Sequence, residues 1–206
     1  MDQEALSRDL LGGLLILFLL VRAFFTIKSR VKGGRSPKNM SVIVREAKVN
    51  FIFRRFIIVP ALSVFLFFFC NQPTWMRLFS IPLPRWGIFL GGSLGLCGMM
   101  LLIWVHVLLG KQWSAKLQMR NDHQLIQSGP YSKIRHPMYT ALFAIYLSVG
   151  VVSSNYAILI LTAMAIVSIY IRIPREEEML IAGFGEEYRR YMRTTGRLLP
   201  RLWDVG

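Results

Sequence analysis

The sequence predicts an all-α, polytopic integral membrane protein of five transmembrane helices, and three observations carry that prediction. The 206-residue chain is 54% hydrophobic with a mean hydropathy of +0.45, yet it holds 25 Lys+Arg against 11 Asp+Glu, a formal charge of +14. Its apolar residues fall in long unbroken runs. Its cations fall between those runs, mostly on alternate connections. A soluble domain does not combine such apolarity with such charge, and a basic nucleic-acid binder reaches a similar charge without long apolar stretches. With 16 Gly, 9 Pro and only Cys70 and Cys97 as cysteines, the chain is not collagen-like, disordered or a disulfide scaffold.

The five runs cover about 10–27, 56–70, 86–109, 139–152 and 156–171, and the whole of 1–206 reads as one membrane domain. The first is too long for a signal-peptide core and is preceded by an acidic, not basic, segment, so it reads as a span. Arg22 inside it reads as a snorkelling residue near the interface. The fourth and fifth are separated only by Ser153-Ser154-Asn155, which forces an antiparallel helical hairpin. At ~1.5 Å rise per residue the fourth run covers about 21 Å. It must therefore borrow residues from 134–138, or the hairpin sits towards one leaflet.

Nine Lys/Arg lie in 28–55, five in 110–138 and seven from Arg172 onwards, whereas Arg8, Arg77 and Arg85 stand alone on the opposite side. The positive-inside rule then gives an outside N-terminus, a cytoplasmic C-terminus and anionic lipid at the basic loops, above all 28–55.

Polar residues with chemical potential concentrate in two stretches, His123–Tyr139 entering the short hairpin and Arg172–Tyr188 leaving it. Because the hairpin is tight, Arg135, His136 and Tyr139 must lie near Arg172 and Glu176, on the cytoplasmic side. Gly129-Pro130 is a turn that would let the backbone approach a ligand closely, and Pro137 either ends one segment or opens the next helix. Arg172 and Glu176, one turn apart, read equally well as a plain i,i+4 ion pair. His136 by itself reads as a hydrogen-bonded interface histidine. His123, His136, His106 and the Glu run lack metal-ligand spacing, so no metal is expected.

Gly129-Pro130-Tyr131, Arg135-His136-Pro137-Met138-Tyr139, and Glu176-Glu177 with Leu180, Phe184-Gly185, Glu187-Tyr188, Tyr191 and Pro200 together resemble the isoprenylcysteine carboxyl methyltransferase family over about 112–200. The resemblance implies a methyltransferase using S-adenosylmethionine in a cytosolic helical pocket built from 112–139 and 172–200. It implies cofactor contacts from Gln118, His123, Gln124, Leu125, Ile126, Tyr131, His136, Pro137, Met138, Tyr139 and Glu176. It further assigns Arg172, with Glu176, to the catalytic end, where Arg172 would hold the α-carboxylate of a prenylated cysteine arriving from the bilayer. Phospholipid N-methyltransferases share a similar motif set, and a sterol-reductase-like branch using NADPH shares the C-terminal motif. A non-enzymatic lipid-binding scaffold is the remaining alternative. Nucleic acid is not an expected partner.

Overall fold

The computed structural model describes residues 3–32, 78–110 and 125–201. The expected second span at 56–70 lies outside them, as do Gln118, His123 and Gln124. Among the described residues the architecture is helical: α1 (Gln3–Lys32), α2 (Arg85–Leu109), α3 (Pro137–Val152), α4 (Tyr156–Phe184) and α5 (Glu186–Thr194), with a 3-10 turn at Gly129–Ser132. Strand pairing among the described residues is limited to two isolated bridges, Ser80 with Asn155 and Ile134 with Gly196.

Among the described residues three helices, α1, α2 and α4, are long and apolar enough to cross a membrane, and α3 is a shorter apolar helix. This is a multi-pass membrane architecture. The hairpin forms as its sequence dictates. Asn155 caps α4 by accepting from the backbone N–H groups of Ala157 at 2.9 Å and Ile158 at 3.4 Å. Ser154, at φ 49°, makes the reversal. Pro137 takes the first helical position of α3, where its missing N–H costs nothing. That start adds only two residues to the apolar run, so α3 is about 24 Å long and still short of a ~30 Å hydrocarbon core.

Between apolar helices in lipid, close backbone approach takes the place of a hydrophobic driving force. On α2, a side chain at Gly91 would lie 2.9 Å from Val151 and Val152, and one at Gly95 would lie 2.4 Å from the Ser148 hydroxyl. These glycines let α2 and α3 touch. Two core clusters complete the bundle: Val21 and Phe25 with Met99, Leu102, Ala141 and Ile145, and Leu11 with Ile88, Val152 and Ile158. Their order along each helix shows α1 and α2 running in the same direction and α3 in the opposite one. Phe24, Phe89, Leu90, Ile160 and Val167 face outwards and are well exposed. Arg22 is half-buried rather than extended away from the bundle, within electrostatic reach of His106 and Tyr146.

The fifth apolar run does not end its helix. α4 continues through Pro174 to Phe184, carrying the charged 172–184 stretch as a rigid extension. Everything chemically distinctive gathers where that extension meets the start of α3.

Candidate functional site

The hairpin brings residues some 40 positions apart into contact, and the meeting point is split between two adjacent glutamates. Glu177 is 3% exposed. Its Oε1 accepts from Arg135 Nε at 3.0 Å and lies 3.3 Å from His136 Nε2, while its Oε2 accepts from Arg197 Nη2 at 2.6 Å. Burial alone would raise the Glu177 pKa, but the hydrogen bonds from His136, Arg197 and Arg135 prevail and lower it to about 2. The carboxylate is therefore fixed in its charged form.

Glu176, one residue earlier, points elsewhere. Its one hydrogen bond among the described residues is donated by the Tyr139 hydroxyl. The Tyr139 ring stacks on His136, with centroids 5.6 Å apart and planes at 23°. The i,i+4 pair between Arg172 and Glu176 does not form. Arg172 has its Nε buried without a hydrogen-bond partner among the described residues, and its charge reaches Tyr139.

The C-terminal segment closes over this junction as a strap. The Arg135 and His136 backbone N–H groups donate to the carbonyls of Gly196 at 2.8 Å and Arg197 at 3.1 Å, and the Thr140 hydroxyl donates to the Leu198 carbonyl at 2.7 Å. Arg135 Nη1 donates to the carbonyls of Met192, at 3.1 Å, and Thr195. At Gly196 a Cβ would sit 1.8 Å from the Leu199 carbonyl oxygen, so the fold admits only glycine there.

The 3-10 turn is anchored too, since the Tyr191 hydroxyl donates to the Tyr131 carbonyl at 2.6 Å. Burial, reinforced by nearby Glu176, pushes the Tyr131 phenol well above its ordinary range. Burial pushes Tyr191 up to about 12 against the opposing charge of Arg135. Gly129, at φ 59°, also lets the turn pack closely on a helix. A Cβ there would lie 2.7 Å from Leu108, so the turn packs its backbone on α2.

Comparison with known proteins gives this arrangement its context. Residues 92–182 match the family model of the isoprenylcysteine carboxyl methyltransferases. The 92–182 segment belongs to that family. A protein-S-isoprenylcysteine O-methyltransferase of Dictyostelium discoideum is 34% identical over 82 residues, covering 39% of this chain and 35% of its own length. The cobalt-zinc-cadmium resistance protein CzcN of Cupriavidus metallidurans is 32% identical over 95 residues, 46% of this chain and 44% of its own. A methanethiol S-methyltransferase of Pseudomonas deceptionensis is 35% identical over 74 residues, 35% of this chain and 27% of its own. The chain thus spans less than half the length of these curated relatives. The solved structure of the eukaryotic intramembrane Ras methyltransferase ICMT superposes with a TM-score of 0.61 at 21% identity, covering 94% of this chain and 67% of that one. It shares the fold.

Within the isoprenylcysteine carboxyl methyltransferase segment, the expected site residues separate by position. His136, Tyr139 and Glu176 form one contiguous group, with Arg172 beside Tyr139. Pro137 is buried at the start of α3, and Leu125 and Ile126 are half-buried just before the 3-10 turn. Met138, partly buried, packs against the core cluster of Val21, Phe25 and Met99. Among the described residues no group of three His, Cys, Asp or Glu is placed to hold a metal. Glu177, Arg197 and Gly196 escaped sequence reasoning. The one available signal was the doubled glutamate, whose members a helix turns about 100° apart.

Proposed function

We propose that the chain is an S-adenosylmethionine-dependent methyltransferase that methylates the α-carboxylate of a prenylated cysteine at the cytosolic face of the membrane. The observation that carries this reading is Arg172, a half-buried guanidinium that forms no ion pair with Glu176 and keeps a buried Nε without a hydrogen-bond partner among the described residues. A planar cation left in that state suits a carboxylate ligand. The donor set also fits the cofactor, with Tyr139, Glu176 and His136 presenting polar atoms and a flat ring pair at the start of α3. Leu125, Ile126, Tyr131, His136, Pro137, Met138, Tyr139 and Glu176 are assigned to hold it, together with Gln118, His123 and Gln124. When bound, S-adenosylmethionine supplies the methyl group on an electrophilic sulfonium.

The protein's own contribution is positioning. An α-carboxylate, with a pKa of ~3.5, is already ionised at neutral pH, so no general base is required. Arg172 fixes that carboxylate, and the apolar helices keep water away and admit the prenyl chain from the bilayer, which together supply several kcal/mol. The disposition that goes with this reading has the N-terminus outside, five crossings and the C-terminus in the cytosol. Alternate-loop charge supports it, as does the parallel course of α1 and α2.

A second reading is favoured by the methanethiol S-methyltransferase relatives, in which the acceptor is a thiol. The test is methyl transfer by the full-length protein in liposomes, offered a small prenylcysteine, methanethiol or phosphatidylethanolamine. The proposal expects ester formation on the prenylcysteine and a loss of roughly a hundredfold in R172A. Labelling of methanethiol or phosphatidylethanolamine alone, or wild-type rates in both R172A and R172K, would overturn it. Thermal stabilisation by S-adenosylhomocysteine and not by NADPH separates it from the reductase reading.

A further inference from the structure

We infer that Glu177 is a positioning residue, which latches the 195–198 strap onto the His136 loop and thereby sets the His136 ring at the site. This rests on the function proposed above but concerns a group that touches neither cofactor nor acceptor. Both Glu177 oxygens are engaged, by Arg135 and the His136 ring on Oε1 and by Arg197 on Oε2, and the residue is 3% exposed. A carboxylate so buried, with three of its roughly four lone-pair sites already engaged by the protein, is a scaffold group rather than a ligand contact.

What Glu177 holds is the strap. Arg197 arrives 20 positions later in the chain and docks on the same carboxylate that fixes His136. The backbone around it pairs with the loop at Arg135 and His136. A continuous chain of contacts therefore runs from Arg197 through Glu177 to His136, onward by ring stacking to Tyr139 and by hydrogen bond to Glu176. Outer partners of this kind orient a site without entering it. The two neighbouring glutamates divide the labour, Glu177 fastening the scaffold and Glu176 facing the ligand.

The experiment follows the His136 imidazole by NMR in the detergent-solubilised full-length protein, together with trypsin cleavage at the strap and the Kd for S-adenosylhomocysteine. E177Q and R197A are expected to shift the His136 signal and leave that of His106 in place. E177Q should also speed cleavage after Arg201, and both variants should weaken S-adenosylhomocysteine about tenfold with the acceptor KM unchanged. R197K, which keeps a cation at the single Nη2 contact, should restore the His136 signal. T140V, which removes the hydroxyl's bonds to the Leu198 and His136 carbonyls, loosens the strap without touching the carboxylate and should shift His136 in the same sense. An unmoved His136 signal in E177Q and R197A overturns the latch, as does a freed strap with unchanged Kd. Failure of the wild type to bind S-adenosylhomocysteine overturns the proposed function instead, and the His136 signal then decides the latch alone.

Discussion

Glu176 and Glu177 are neighbours of identical chemistry in opposite circumstances. Glu177 is buried among Arg135, His136 and Arg197, and Glu176 holds a single neutral phenol from Tyr139. The difference comes from the helix, because ~100° of rotation per residue turns one carboxylate to the strap and the other to the start of α3. The acidic cluster of α4 is therefore not one site. A carboxylate engaged on both oxygens stabilises a scaffold, whereas its neighbour keeps spare acceptor capacity on the helix that carries the half-buried Arg172, which is the basis of the function proposed above. The hydrophobic bundle below serves both by fixing where α3 begins and how far α4 extends.

The comparison can be broken by mutation. The largest effect is expected from E177A, which strands the Arg135 guanidinium, 8% exposed as a side chain, without its carboxylate. Breaking a buried pair in this way costs about 3–5 kcal/mol, and thermal unfolding in detergent measures it, while E176A should cost no more than about 1 kcal/mol. An acid titration sharpens the same contrast. Because the folded-state pKa of Glu177 is lowered from 4.5 to about 2, its stabilisation is fully present above pH 4.5 and is lost as pH falls towards 2. Wild-type Tm should drop between about pH 4.5 and pH 2, and E177Q should lose much of that dependence. The smallest effect belongs to R189A. Its pair with Glu186 is exposed on both sides, and its removal should change stability by less than about 0.5 kcal/mol.

The fold was legible where local chemistry dictates it. A three-residue turn between two apolar runs required the hairpin, and the hairpin required the meeting of Tyr139 with Glu176. Pro137 announced the start of α3. Arg172 and Glu176 had ion-pair spacing, yet the pair is absent, and the Glu176 carboxylate is met by the Tyr139 hydroxyl from the facing helix instead. Spacing on one helix cannot register a competitor on another. Glu177 was illegible for a related reason. Its partners come from 42 positions before and 20 after, and Arg197 sits in a tail without periodicity. The 195–198 strap bonds backbone to backbone, which leaves no residue-type signature beyond Gly196. The second expected span and the 118–124 contacts lie outside the described residues.

The most direct test sets E176Q beside E177Q in a single titration, following Tm and S-adenosylhomocysteine affinity together in the full-length protein. The account predicts that E176Q loses affinity while keeping the wild-type Tm, and that E177Q loses both. An E176Q protein that binds like the wild type, or one that unfolds as readily as E177Q, would contradict the division between the two glutamates.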